Sequence, residues 1–230
     1  MRISSHSADA FDQHADQYDR WFDENKRVYE AEVAALRRFV PDTGLGVDVG
    51  AGTGRFSVPF GISIGVEPAR RMAQIARARN VSVCRAVGER LPFRDGQFDF
   101  ALLVTVVCFV DSVPQLLEEV ARILRTGGRM ILGFIDRETL LGRLYQSRKD
   151  TDTFYREAHF YSAPEITACV REAGFGNLQF AQTVFGDPGD GVVGCQVRDG
   201  YGEGAFVAVS AQNSGRSSAG KSPIAALSAE

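Results

Sequence analysis

Apolar residues recur along this chain in two different rhythms. Within DAFDQHADQYDRWFDE, residues 9–24, Phe11, Tyr18 and Phe22 are spaced by seven and then four, which puts them on one helical face. Val28, Ala31, Leu36 and Phe39 repeat that helical pattern, and Pro41 and Gly44 stop it. Short apolar runs then alternate with helices. Strands are expected over 45–49, 62–66, 81–85, 98–107 and 129–134. Pro68 opens a helix running to about Arg79, and Ser112 with Gln115 reads as a capping box before a helix that buries Leu116, Leu117, Val120, Ile123 and Leu124. Runs that are apolar on both faces and alternate with helices predict a buried parallel sheet.

The rhythm changes after residue 135. Residues 136–161 form a long polar and aromatic insertion. Ser162 and Glu165 read as a second capping box, opening a helix that ends at Gly174. Two last strands are expected, at 178–184 and 205–210, separated by a glycine-rich stretch, 186–204. Residues 1–8 are expected to fray, and 211–230, made of Ala, Ser and Gly with few anchors, to be a disordered tail.

At 230 residues the length suits one domain, and it suffices to bury a core without disulfides or a metal. Against 26 Lys and Arg stand 29 Asp and Glu, so a dedicated DNA-binding role is disfavoured. No run is long enough to span a membrane, and the polar N-terminus does not read as a signal peptide, so a cytoplasmic address is expected. The four cysteines, Cys84, Cys108, Cys169 and Cys195, show no paired spacing, so no metal site is expected. Cys84 and Cys169 sit in apolar patterns and read as buried thiols. Seven arginines in 70–94 form the only basic cluster, set against an acidic stretch, 9–32, with eight acids and three bases. A solvated face or an RNA surface would each explain the cluster.

The chemistry is written after the first strand, in Val47-Asp48-Val49-Gly50-Ala51-Gly52-Thr53-Gly54. Glycines there let a ligand approach the backbone, and Glu67, at the end of the next strand, can accept both hydroxyls of a ribose. The G-x-G-x-G spacing departs from the dinucleotide fingerprint, which argues against a nicotinamide reductase, and the lysine of a phosphate-binding loop is absent. Asp48 would repel pyrophosphate but suits the ammonium of a methionine moiety. A ligand-free tight turn, with Glu67 as a helix N-terminal carboxylate, is the bland alternative.

VDVGAGTG, then VEP, ERLPF, FDFALL and EEVARILRTGGRMIL together resemble a class I S-adenosylmethionine (SAM)-dependent methyltransferase, of the small bacterial type that includes ubiquinone and menaquinone methyltransferases. The resemblance spans roughly residues 11–184. It implies an α/β, Rossmann-like fold: a seven-stranded, mostly parallel sheet with helices on both faces. A helical lid would occupy 9–40 and a small cap, 136–161, would follow the fifth strand, all in one domain, 9–210. It implies SAM as cofactor, with Asp48, Gly50, Gly52 and Gly54 along its methionine part, Glu67 on the ribose, and Pro68, Gly88 and Glu89 beside the adenine. Val104 and Thr105 would close the pocket, and Tyr18 and Trp21 would belong to the lid or to a docking core. Many relatives place Asp or Thr where this chain has Val87, so a backbone group or Glu89 must meet the adenine amine.

The aromatics of the insertion could wall a substrate pocket or fill a small core. His159, Tyr155, Tyr161 and Asp136 are the candidates for substrate contact, His159 as a proton acceptor or a structural residue. Cys108 reads as a packed thiol, with thiol or metalloid chemistry as its alternative. A small-molecule methyltransferase, a non-catalytic SAM-binding module and an RNA methyltransferase are the competing functions. A single sequence is silent on the accepting atom and on oligomeric state.

Overall fold

A computed structural model describes residues 6–186 and 194–215. Two helices, α1 (His6–Gln13) and α2 (Ala15–Glu24), and then α3 (Lys26–Arg37) precede the sheet. The first of these begins at His6, inside the segment expected to fray, and the aromatic stretch is broken into two helices at His14. The strands and helices of the alternating region follow: β1 (Gly46–Val49), β2 (Ile64–Val66), α4 (Arg70–Ala78), β3 (Ser82–Cys84), β4 (Phe98–Val104), α5 (Val113–Ile123) and β5 (Leu124–Ile135). The insertion contains α6 (Leu140–Arg148). The chain then runs through α7 (Ala163–Glu172), β6 (Phe175–Thr183), β7 (Arg198–Asp199) and β8 (Phe206–Asn213).

The strands form one sheet in the order β3-β2-β1-β4-β5-β8-β6-β7. The first five are mutually parallel, while β8 runs antiparallel to both β5 and β6. The seven expected strands are all present, and β7, two residues inside the glycine-rich stretch, adds an eighth at the edge. Strand order reverses between β1 and β4, and at such a switch point the crossover helices leave to opposite faces and open a crevice at the strands' carboxyl ends.

The continuous apolar character of the strands follows from burial on both sides. In β4, Phe98, Ala101 and Leu103 join the core beneath α5 and α7, whereas Phe100, Leu102 and Val104 join the core beneath α2 and α3. Ser162 and Glu165 cap each other reciprocally at α7, as expected, whereas at α5 only half of the expected box forms: Ser112 accepts the Gln115 N–H but its own N–H turns to Glu89. No described helix is long and apolar enough to cross a membrane.

The structure corrects three sequence expectations here. β8 continues to Asn213, three residues into the expected tail; Ala211 and Asn213 are buried, and the Asn213 Nδ2 donates to the carbonyls of Ala121 (2.9 Å) and Leu124 (3.0 Å). Residues 216–230 of that tail lie outside the described residues, as do 187–193 of the glycine-rich stretch. Cys84 is exposed on a short strand whose side chains alternate outward, and Cys169 is only half-buried. The fourth strand stops at Val104 because Thr105 turns into the left-handed region, at φ 55°.

Candidate active site

A cleft of about 710 Å³, counted to its open mouth, lies over the carboxyl ends of β1, β2, β3 and β4. Gly50, Gly52, Glu67, Pro68, Gly88, Glu89, Val104 and Thr105 all line it, with Val87 beside them. Gly50 must be glycine: at φ 75° a Cβ would also meet Val106 Cγ2 at 2.4 Å. A Cβ on Gly52 would face only the Tyr18 ring, at 3.7 Å, so the loop presents bare backbone to the cleft.

Glu67 is buried at the end of β2. Its Oε2 accepts the Gly52 N–H at 2.9 Å and its Oε1 the Ala69 N–H at 2.8 Å. Burial pushes its carboxyl up to about 7; these donors oppose the rise and Asp48 adds to it. Asp48, 1% exposed, lines a smaller adjoining hollow with Tyr18, Thr53 and Phe56. Burial raises its carboxyl to about 7 against one donor, the Ser57 hydroxyl at 2.6 Å. A buried carboxylate of that kind gains most from a cation. Two buried carboxylates thus flank a bare glycine loop, an acceptor set that would suit the ribose hydroxyls and the ammonium of SAM.

Three assignments shift. Gly54 lines no cleft; at φ 82° its missing Cβ lets Ala76 of α4 approach within 3.3 Å, so it serves packing. Gly88 lines the cleft, but what requires glycine there is Leu116, whose Cδ1 would lie 2.5 Å from a Cβ. The Glu89 Oε1 already accepts the Asp111 N–H at 2.7 Å, fastening the loop before α5, so only its other oxygen is free for an adenine amine.

A second cavity opens across β4 from the first, and the two share Phe11, Tyr18, Thr105 and Phe109. Ten of its nineteen lining residues are aromatic, among them Trp21, which thus belongs here and not to the cofactor cleft. Thr105 and Val184 line it with β-branched side chains at positive φ, 55° and 64°, a strain that persists only where surroundings impose it.

Of the four catalytic candidates only Tyr155 reaches this cavity. Its ring stacks on Phe109 with centroids 5.9 Å apart, and burial holds its hydroxyl protonated, well above the usual phenol range. His159 is exposed, packs edge-on against Tyr161 at 4.5 Å, and lines neither cleft, so a proton acceptor at the reacting atoms it is not. Tyr161 faces a separate small hollow beside Cys108. Asp136 is 1% exposed and spends its carboxylate on the Glu138 N–H at 3.0 Å, anchoring the turn into α6. The Cys108 thiol donates to the Thr105 carbonyl at 3.0 Å and is pushed up by burial to about 12, which is a packed neutral thiol.

Sequence reasoning missed Glu32. It sits on α3 among the cavity's rings, with no hydrogen-bond or ion-pair partner among the described residues, and burial alone pushes its carboxyl up to about 8. The signal was present: 28, 32 and 36 are successive i+4 positions, so an acid lies in the apolar stripe of Val28 and Leu36. Arg55, immediately after the glycine loop, was missed too. It makes two hydrogen bonds to the Asp19 carboxylate of α2, at 2.9 and 3.0 Å, and bonds Asp23 at 2.7 Å; Arg79 joins the same Asp19 at 2.8 Å. Together they pin the first helices over the cleft. Four of the seven arginines in 70–94, namely Arg71, Arg77, Arg79 and Arg85, are likewise spent on bonds within the fold.

A methyltransferase-domain family model matches residues 47–132. An uncharacterized protein of Methanocaldococcus jannaschii is 46% identical over 202 residues, covering 88% of this chain and 98% of its own. One from Mycobacterium tuberculosis is 34% identical over 200 residues, 84% of this chain and 70% of its own. A solved structure from Thermotoga maritima, described as a SAM-dependent methyltransferase, possible histamine N-methyltransferase, superposes with a TM-score of 0.84 at 44% identity, over 89% of this chain and 98% of that one.

Proposed function

The chain belongs to the SAM-dependent methyltransferases, and on that premise we propose that it methylates a small molecule held in the aromatic cavity beside the cofactor cleft. The observation that carries this reading is the shared wall. Tyr18, Thr105, Phe11 and Phe109 line both spaces, so a ligand in one meets a ligand in the other without crossing solvent.

SAM supplies a methyl group already activated by its sulfonium, for in-line displacement by a nucleophile. The protein's part is alignment and exclusion of water. Glu67 would hold the ribose hydroxyls, Asp48 the ammonium, and Gly52 the close backbone approach. Tyr18 roofs the junction, and its hydroxyl stays protonated because burial raises it above the usual phenol range. Of the four residues that line both spaces only Tyr18 titrates, and it stays neutral. That suits an acceptor whose lone pair is available near neutral pH.

The finer likeness to the ubiquinone and menaquinone methyltransferase-like group rests on a match over 37% of this chain. An RNA substrate is disfavoured by the arginines bonded within the fold, and a bare SAM-binding module by the second, enclosed space. The four free thiols accord with a reducing, cytoplasmic setting.

Calorimetric titration with S-adenosylhomocysteine, with NADH as control, tests the cofactor. Micromolar binding of the first alone is expected. Absence of that binding would overturn the assignment of Asp48 and Glu67.

A further inference from the structure

The second cavity has a charge pattern that its apolar walls do not require. Two carboxylates line it, Glu32 and Asp152, and no Lys, Arg or His does among the described residues. Asp152 is accounted for, since its Oδ1 accepts the Phe154 and Tyr155 N–H groups at 2.8 and 3.0 Å. Glu32 has no such partner. An unpaired carboxylate among aromatic rings is costly to keep, and a cation from outside the chain would relieve that cost. Aromatic rings attract cations over their faces, and ten aromatic residues line this cavity.

We infer that the cavity recognises its substrate through a positively charged organic group, an ammonium or a similar cation, with Glu32 as counter-ion and the surrounding rings as its walls. This rests on the methyltransferase reading above and names the substrate class for the same site. The sheet says which end of the substrate is charged. The cofactor cleft lies over β1 to β4, whereas α3 packs over β5, β8 and β6. Glu32 lines the aromatic cavity alone, whereas Thr105 lines both spaces, so the carboxylate stands away from the cofactor cleft. The cation held there is an anchor, and the methyl-accepting atom is a different one, several bonds nearer Thr105. Glu32 is therefore a specificity-determining residue, not a base at the reacting atom.

The test uses the full chain saturated with S-adenosylhomocysteine. A series of primary ammonium ions from butylammonium to 2-phenylethylammonium is titrated against the matching neutral alcohols, in the wild type and in Glu32→Gln. At least one ammonium ion should bind at least tenfold more tightly than its alcohol. Glu32→Gln should erase that preference and leave S-adenosylhomocysteine affinity unchanged. Equal binding of amine and alcohol, no binding by any ammonium ion, or a preference that survives Glu32→Gln would overturn the inference. Failure of S-adenosylhomocysteine to bind the wild type would instead strike the cofactor reading, so the two failures are distinguishable.

Discussion

Glu67 grips the backbone of Gly52: the carboxylate at the end of β2 accepts the N–H of the glycine loop at 2.9 Å. The same side chain thus shapes the loop, and in the proposed function its remaining lone pairs would take the ribose hydroxyls. Glu67→Ala should lower S-adenosylhomocysteine affinity by ~1–3 kcal/mol, the worth of charge-assisted hydrogen bonds. Calorimetry reads this directly, and an unaltered dissociation constant would move the ribose elsewhere.

Cofactor affinity should depend on pH. Asp48 and Glu67 are both raised to about 7 by burial, so each binds a proton as pH falls through that value. A ligand ammonium and ribose hydroxyls need the ionised forms. Affinity should therefore rise from pH 6 to pH 8, with protons released on binding. Titrations in buffers of different ionisation enthalpy count those protons, and a flat profile would separate both acids from the ligand.

The Arg55–Asp19 pair fastens the lid. Both side chains are 17% exposed, so removing one partner leaves a poorly solvated charge. Arg55→Ala should destabilise the fold by about 1–3 kcal/mol and speed cofactor release. Asp19 is held below its ordinary 3.8 by the hydrogen bonds from Arg55 and Arg79, which outweigh the opposing effect of its burial. A lowered carboxyl stabilises above the ordinary value and ceases to do so in acid, so wild type and variant should converge in melting temperature as pH drops below about 4. A constant gap across that range would mean that the ion pair is not what the variant removes.

Glu32 should act in the opposite sense. Its carboxyl moves from an ordinary 4.5 to about 8, so the native state binds the extra proton between those values and stability declines as pH rises through that window. Tyr18, Tyr145, Tyr155 and Asp152 are the titratable side chains sharing its cavity. Glu32→Gln should raise the melting temperature by a few degrees at pH 8, about 2–4 °C per kcal/mol for a chain of this size, and by almost nothing at pH 4.5. A scan showing equal gains at both pH values would contradict the assigned shift.

Asn213 ties the end of β8 to the last turn of α5 through the Ala121 and Leu124 carbonyls. Asn213→Ala should cost about 1–3 kcal/mol by leaving buried acceptors unpaired. Denaturant unfolding measures it, and a neutral result would return residues 211–213 to a dispensable tail.

The sheet was legible because burial on both faces writes itself as continuous apolar runs, as in Phe98 to Val104. The cofactor loop was legible because Gly50 and Gly52 both adopt positive φ, 75° and 53°, a backbone that favours glycine. The substrate side was not. Residues such as Tyr155 and His159 are four apart in sequence, yet one enters the cavity and the other faces solvent, because the segment between them is loop with no fixed period. Asp136, an acid in the insertion, proved to hold a turn. Glu32 and Arg55 escaped because their meaning depends on partners 32 and 36 residues away or on having none. Polar residues are explained by tertiary neighbours, which periodicity does not reveal.

Phe11 and Tyr18 each face both the cofactor cleft and the aromatic cavity. One roof covers two guests, and it is bolted to the floor by Arg55 and Arg79. Lifting it to admit or discharge either guest disturbs the other. Admission of either guest would wait on the opening of that roof, and because Arg55 and Asp19 are only 17% exposed, added salt would loosen the bolts little.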